Sequence, residues 1–197
     1  MIKMFTKSLL ALAIITLVCI AYTAVVTAVG QTFFNNKANG SLISEKKTIK
    51  GSALIAQPFT SKKYLWGRQM SITLGNLNGV GGENNTMYSA ASQLSPSSRK
   101  YQALVKNNDQ VIKRLNPAAK QAVPVDLLTD SGSGLDPEIS LQAARYQVKR
   151  IAAARKLSQA SVQKIINNYT KNRTFGILGE PRVNVLEVNL ALDKISS

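Results

Sequence analysis

The sequence has no histidine, and its single cysteine, Cys19, lies within a long apolar run. One cysteine cannot form an internal disulfide, and a chain without histidine cannot carry Ser-His-Asp or Cys-His catalysis. Zinc sites built from cysteine and histidine are excluded for the same reason. An enzyme made from this chain would have to depend on carboxylates, lysine, tyrosine or serine. We therefore predict no catalytic residue, no metal site and no covalently bound cofactor.

Acidic residues are scarce as well. The chain has ten, against 25 lysines and arginines, which gives a formal net charge of +15. Of the basic residues, only Lys3 and Lys7 precede residue 30, and all the acidic residues follow it. Residues 30–197 therefore carry 23 basic and 10 acidic side chains, a net charge of +13. Such a surface favours anionic partners. One interpretation is therefore a membrane-anchored basic domain that binds nucleic acid or another anionic polymer.

Residues 8–29 contain no charge, and 18 of these 22 residues are apolar. As a helix they would span roughly 33 Å, slightly more than the ~30 Å of a hydrocarbon core. The alternative is a cleaved signal peptide with a small-residue site at 28–30, but the apolar region of such a peptide has only about 7 to 15 residues. We therefore predict a retained transmembrane helix at 8–29.

The two lysines at the N-terminus set the expected orientation. Lys3, Lys7 and the α-amino group favour a cytoplasmic location for residues 1–7, and the charge of a long following domain has little influence. We therefore expect a single-pass protein of the cell membrane, with an extracytoplasmic domain at 30–197.

Small residues lie along one side of the predicted membrane helix. Ala21, Ala24 and Ala28 follow each other at spacings of three and four, which allows another helix to approach closely. The alternative is a lipid-facing surface, since alanine is common in such helices. We predict packing against a partner helix.

The remaining sequence favours an α+β fold, with short strands and about three to four helices in one compact domain. Glycines and short apolar runs between residues 38 and 82 suit strands and turns, and 79–82 is a glycine turn without a phosphate-loop pattern. Ser95-Pro96 is expected to start a helix that ends at Asn116-Pro117. Residues 123–129 are expected to form a short strand or turn.

Two further helices are predicted near residues 141–156 and 158–169. Asp136-Pro137 and Ser140 are alternative starts of the first, and Ser158 is the N-cap of the second. Together they resemble a helix-turn-helix, whose second helix would present Gln159 and Gln163 to DNA. We expect a solvated helical hairpin and no nucleic acid partner, because the anchor places the domain outside the cytoplasm.

Carboxylates and serines cluster around residue 130. Asp126, Asp130 or Asp136 with Ser131 or Ser133 could in principle form a hydrolase site. The loop lacks a matching base, and aspartate before proline favours a capping role. We expect these residues to shape turns.

Six segments in the same order resemble the family of KdpC subunits of the Kdp potassium-transporting ATPase. They are ANGSL (38–42), GSALIAQPF (51–59), YLWGR (64–68), VPVDLLTDSGSGLDPEIS (123–140), QVKRIA (147–152) and GEPRVNVLEVNLALD (179–193). Two departures are Gln69, where the family often has proline, and the turn at 80–85.

This resemblance implies a small accessory subunit that assembles with a channel-like potassium-translocating subunit and a P-type ATPase subunit. K+ would be the transported ion of that complex. The resemblance also implies a catalytic chaperone that raises the pump subunit's affinity for ATP, with Gln147 and Arg150 in contact with nucleotide. That last implication conflicts with the predicted orientation, since ATP is hydrolysed on the cytoplasmic side.

Overall fold

A computed structural model describes residues 2–75, 86–89 and 91–195. The chain divides into two units, Met1–Ile43 and Ser44–Ser197. The predicted turns at 79–82 and 80–85 lie outside the described residues.

The first unit is dominated by helix α1, Ile2–Phe33, which is followed by the short helix α2, Asn35–Ala38. Every residue from 3 to 29 is exposed. The hydroxyl groups of Thr16 and Thr23 donate to the backbone oxygens of Leu12 and Cys19, both at 2.9 Å, so these polar groups are satisfied within the helix. The segment Lys3–Phe33 is long and apolar enough to cross a membrane.

Short strands follow, as the glycine-rich sequence predicts. Strands β1, Leu42–Glu45, and β2, Thr48–Ser52, form a two-stranded sheet, and Lys46 and Lys47 between them have φ of 48° and 64°. Strands β3, Ile72–Gly75, and β4, Thr86–Ser89, form a second antiparallel pair.

Helix α3, Arg99–Leu115, begins later than predicted. The expected start at Ser95-Pro96 is wrong, because the Ser98 hydroxyl accepts from the backbone N–H of Tyr101 at 3.2 Å and is the N-cap. The predicted end at Asn116 is confirmed. Residues 123–129, expected to be a strand or turn, contain a 3-10 helix at Val125–Leu127.

A three-stranded sheet and four helices form the rest of the second unit. The strands are β5 (Glu138–Ser140), β6 (Thr170–Lys171) and β7 (Arg182–Asn184), in the antiparallel order β5-β7-β6, with Ile139 opposite Val183. The helices are α4 (Leu141–Tyr146), α5 (Val148–Arg155), α6 (Gln159–Asn168) and α7 (Val185–Ile195).

Serine caps fix the starts of two of these helices. Ser140 accepts from Ala143 N–H at 3.2 Å to start α4, and Ser158 accepts from Ser161 N–H at 3.0 Å to start α6. Both caps were among the predicted starts. Asp136, the alternative start, instead accepts from the N–H of Glu138 at 2.9 Å.

The predicted helix count is too low. Among the described residues of the second unit there are five α-helices, α3 to α7, because the helix expected from residue 141 to residue 156 is broken at Gln147 and a further helix follows β7. The core lies between these elements, and its fully buried side chains include Leu65, Leu127, Ile151, Val162, Ile166, Val183, Val188 and Leu192.

Candidate functional site

Two buried amide side chains hold the segment 64–68 against the helices. Gln147 accepts from Trp66 N–H at 2.9 Å and donates to Trp66 O at 3.0 Å. Asn189, on α7, does the same for Leu65, accepting at 2.7 Å and donating at 2.9 Å. Each amide therefore acts like a neighbouring strand, and we call this arrangement of Gln147 and Asn189 on residues 65 and 66 the amide clamp.

Arg150 completes the clamp on one side. Its guanidinium lies 3.4 Å from the centroid of the Trp66 ring, and it donates to Gln147 Oε1 at 2.6 Å and to the backbone oxygen of Lys62. Burial lowers the pKa of the guanidinium to about 9, so the group stays protonated at neutral pH. Its charge is stabilised by an aromatic face and by carbonyl and amide oxygens.

The two residues predicted to contact nucleotide are thus brought together, but inside the domain. Gln147 is 0% exposed and Arg150 is 5% exposed. The amide of Gln147 has partners for both its oxygen and its nitrogen, since it also donates to Ala143 O at 3.2 Å. A nucleotide could contact these groups only if it displaced their internal partners, Trp66 among them.

A second set of contacts fixes the start of the same segment. The Tyr64 hydroxyl donates to Asp193 Oδ2 at 2.9 Å, and Arg155 Nη2 lies 2.7 Å from Asp193 Oδ1. Arg155 also donates to the backbone oxygens of Lys63 and Leu192, at 2.6 and 2.9 Å. Burial, and then the hydrogen bond to Asp193, raise the pKa of Tyr64.

Arg68, the last residue of the segment, forms an ion pair with the carboxylate of Asp126. The two are 3.3 Å apart, and Arg68 also donates to Asp130 O at 2.9 Å. Gln69, where the family often has proline, donates its backbone N–H to Thr129 O at 3.3 Å, which proline could not do.

The carboxylates and serines that were considered as a hydrolase site accept hydrogen bonds from backbone N–H groups in turns. Asp126 accepts from Ser140 N–H at 2.8 Å and Asp130 from Ser92 N–H at 2.9 Å. The Ser131 hydroxyl accepts from the N–H groups of Gly134 and Asp136, at 3.0 and 3.3 Å. Among the described residues, no group of three or more Cys, Asp or Glu side chains could hold a metal ion.

A cavity of about 250 Å³ lies beside the segment, between residues 57–60, residues 66–70 and helix α3. Its volume is below the ~300–1,000 Å³ usual for small-molecule sites. The cationic side chain in its lining, Arg68, is paired with Asp126. The cavity therefore offers little to a triphosphate.

A basic surface lies elsewhere, beside the helices of the predicted helix-turn-helix. A concavity of about 230 Å³ there is lined by Lys120, Arg145 and Lys149, with Gln159 and Gln163 of α6, and its lining contains no carboxylate. This surface is where the alternative of anionic polymer binding would apply.

The alanines predicted to pack against a partner helix, Ala21, Ala24 and Ala28, are exposed on α1. Packing of these alanines against a partner helix stays a prediction for the assembled complex.

Sequence reasoning missed the partners of the clamp. Trp66 and Gln147 are 81 residues apart along the chain, and Leu65 and Asn189 are 124 apart. Hydrophobic periodicity carries no information on a side-chain amide that pairs with a distant backbone. The sequence feature that could have indicated these contacts is the presence of Gln147 and Asn189 among apolar neighbours, since buried amides require hydrogen-bond partners.

A family model and several known proteins that are similar to this chain all indicate the same family. The family model described as "KdpC: K+-transporting ATPase, c chain" matches residues 5–194. A potassium-transporting ATPase KdpC subunit of Clostridium perfringens is 47% identical over 195 residues, covering 98% of each chain. One from Clostridium botulinum is 47% identical over 193 residues, covering 97% of this chain and 96% of the relative. One from Paraburkholderia phytofirmans is 43% identical over 194 residues, covering 98% of this chain and 97% of the relative.

Proposed function

Since the chain belongs to the KdpC family, the c chain of K+-transporting ATPases, we propose that it is a non-catalytic, single-span subunit that assembles the Kdp complex. Its partners in this proposal are the channel-like potassium-translocating subunit and the P-type ATPase subunit. The observation that carries it is helix α1, whose apolar side chains are exposed from residue 3 to residue 29 and so require lipid or another protein around them.

The proposed orientation places residues 1–7 in the cytoplasm, 8–29 in the cell membrane and 30–197 outside. Lys3 and Lys7 support it, since they are the charged side chains before the apolar run. In this orientation the domain covers the external face of the channel-like subunit, and Ala21, Ala24 and Ala28 face one of its helices.

The proposal includes a rise in the pump subunit's affinity for ATP as an effect of assembly. Two features support an indirect effect. The polar groups of Gln147 are taken up by internal partners, and the guanidinium of Arg150 lies on Trp66. Direct nucleotide contact by these two residues stays a prediction of the family resemblance, and it requires the amide clamp to open.

Purification in mild detergent through a tag on this chain tests the assembly role. We expect two large membrane proteins and K+-stimulated ATPase activity to elute with the tagged chain. Recovery of the chain alone would contradict the proposal.

A separate experiment tests the nucleotide prediction. The purified full-length chain is heated with increasing ATP, because a ligand that binds only the folded state raises the unfolding temperature. We expect no dose-dependent rise up to millimolar ATP. A rise that is lost in Gln147→Leu, measured on a variant shown to be folded, would restore the direct contact.

A further inference from the structure

A short loop after β6 exposes three large apolar side chains together. Phe175, Ile177 and Leu178 are 88%, 74% and 57% exposed. All residues from 171 to 180 are exposed, so the loop stands out from the domain. We call residues 173–180 the apolar loop.

The apolar loop has a defined shape in spite of its exposure. Thr174 and Leu178 exchange two backbone hydrogen bonds, of 2.9 and 3.0 Å, and Ile177 N–H donates to Thr174 O at 3.3 Å. At its base, Arg173 Nη2 lies 2.6 and 2.7 Å from the two carboxylate oxygens of Glu180. The apolar side chains are thus presented by an ordered turn, which lowers the entropic cost of binding.

The backbone at the tip is held in an unfavourable conformation. Phe175 has φ of 54°, a left-handed region that bulky residues rarely adopt, and Gly176 follows with φ of 78°. Left-handed backbone is unsurprising at glycine but costs free energy at phenylalanine. Strain of this kind is a reason to look for function, and here it falls on Phe175, the one aromatic residue of the loop.

The charges around the apolar loop indicate what kind of surface it meets. Lys171 and Arg182 both pair with Glu138, at 3.4 and 2.7 Å, and Arg173 pairs with Glu180. Each cation that flanks the loop therefore has a carboxylate partner, and these three cations and two carboxylates together carry only +1, against the net charge of +13 of residues 30–197. An anionic lipid surface would be met by unpaired cations, whereas this arrangement suits an apolar protein pocket.

We infer that the apolar loop is a docking element, which inserts Phe175, Ile177 and Leu178 into an apolar pocket on another subunit of the complex. This inference rests on the proposed assembly function and names the surface that would serve it. The occupant is a protein pocket that accommodates one phenyl ring and two aliphatic side chains.

Photo-crosslinking in the intact complex tests the contact directly. Phe175 is replaced by benzoylphenylalanine, and the same substitution at the exposed Val125 serves as the control position. We expect a crosslink to a larger subunit from position 175 at least about tenfold stronger than from position 125. Crosslinks from position 175 to lipid alone, or to no partner, would overturn the inference.

A set of variants tests the energetic role. In the first variant, Phe175, Ile177 and Leu178 are all changed to serine. The control changes three exposed apolar residues elsewhere to serine, namely Ile49, Leu54 and Val125, which are 62%, 60% and 65% exposed. We expect the first variant to lower recovery of partner subunits through the tag by about tenfold or more, as clustered apolar anchors do. The control should retain recovery within about twofold.

The wild-type chain separates this test from that of the proposed function. If wild type recovers no partner, the assembly role itself fails. If wild type and the loop variant recover partners equally, the assembly role stands and the docking inference is wrong. Glu180→Gln, which weakens the ion pair and keeps all three apolar side chains, should give an intermediate loss.

Discussion

The amide clamp and the apolar loop use side chains in opposite ways. In the clamp, Gln147 and Asn189 are polar and buried, and they find their partners within the chain. In the loop, Phe175 and Ile177 are apolar and exposed, with no comparable burial in the isolated chain. Buried polar groups with internal partners contribute to stability, whereas exposed apolar groups on an ordered turn are typical of an interface.

This contrast separates two kinds of defect. Changes in the clamp should destabilise the chain by itself. Changes in the loop should leave the chain stable and affect the complex. The expected loss of stability in the isolated chain is therefore largest for changes in the clamp and smallest for changes in the loop.

Gln147→Ala should destabilise the isolated chain by about 3 kcal/mol, because it leaves both backbone groups of Trp66 buried without their partners. The melting temperature should fall by roughly 6–12 °C, which thermal unfolding followed by circular dichroism measures. The control is Gln159→Ala at an exposed position of α6, which should change stability by less than ~0.5 kcal/mol. Equal effects of the two changes would contradict the clamp.

Asp193→Ala should cost about 1–2 kcal/mol, because the side chain of Arg155 is only 3% exposed and would lose its carboxylate. The matched control is Asp109→Ala, which removes an exposed pair with Lys113 four residues along α3 and should cost ~0.5 kcal/mol or less. Urea unfolding measures both values. If the Asp193 change costs no more than the Asp109 change, the Arg155–Asp193 ion pair contributes little to stability.

The pH dependence of stability should report on Tyr64. Its pKa is raised above 10.0 by burial and by Asp193, so the neutral phenol is favoured in the folded chain. The stabilisation is fully present below about pH 10 and is lost as the pH rises through the raised pKa. The free energy of unfolding should therefore fall more steeply above pH 10 in wild type than in Tyr64→Phe. Parallel curves for the two proteins would contradict this.

The loop variant with serine at 175, 177 and 178 should show the smallest change in the isolated chain, within ~0.5 kcal/mol, since these side chains are exposed. Urea unfolding of the purified chain measures it beside Gln147→Ala. A loss of several kcal/mol would place the loop among the structural elements and remove the contrast with the clamp.

Local signals in the sequence predicted the features that depend on neighbouring residues. The absence of charge from residue 8 to residue 29 predicted the apolar helix, and the caps at Ser140 and Ser158 are confirmed because capping joins residues three apart. The start of α3 was misplaced by three residues because Ser95 and Ser98 are both suitable caps, and Ser98 makes the bond.

The rest of the site depends on residues far apart in the chain. The helix break at Gln147 coincides with the position where its side chain pairs with Trp66, 81 residues earlier, and no periodic pattern records such a pair. The apolar loop went unpredicted for the converse reason. Apolar residues in a sequence predict burial, and here they are exposed.

An assembly role and direct contact with ATP place the domain on opposite sides of the membrane. Labelling of introduced cysteines by a maleimide that does not cross the membrane measures on which side the domain lies. In a Cys19→Ala background, Lys164→Cys reports on the domain and Lys3→Cys on the N-terminal tail, both at exposed positions. In intact spheroplasts we expect labelling at position 164, and labelling at position 3 only after permeabilisation. Labelling at position 3 with protection at position 164 would place the domain beside ATP and contradict the account.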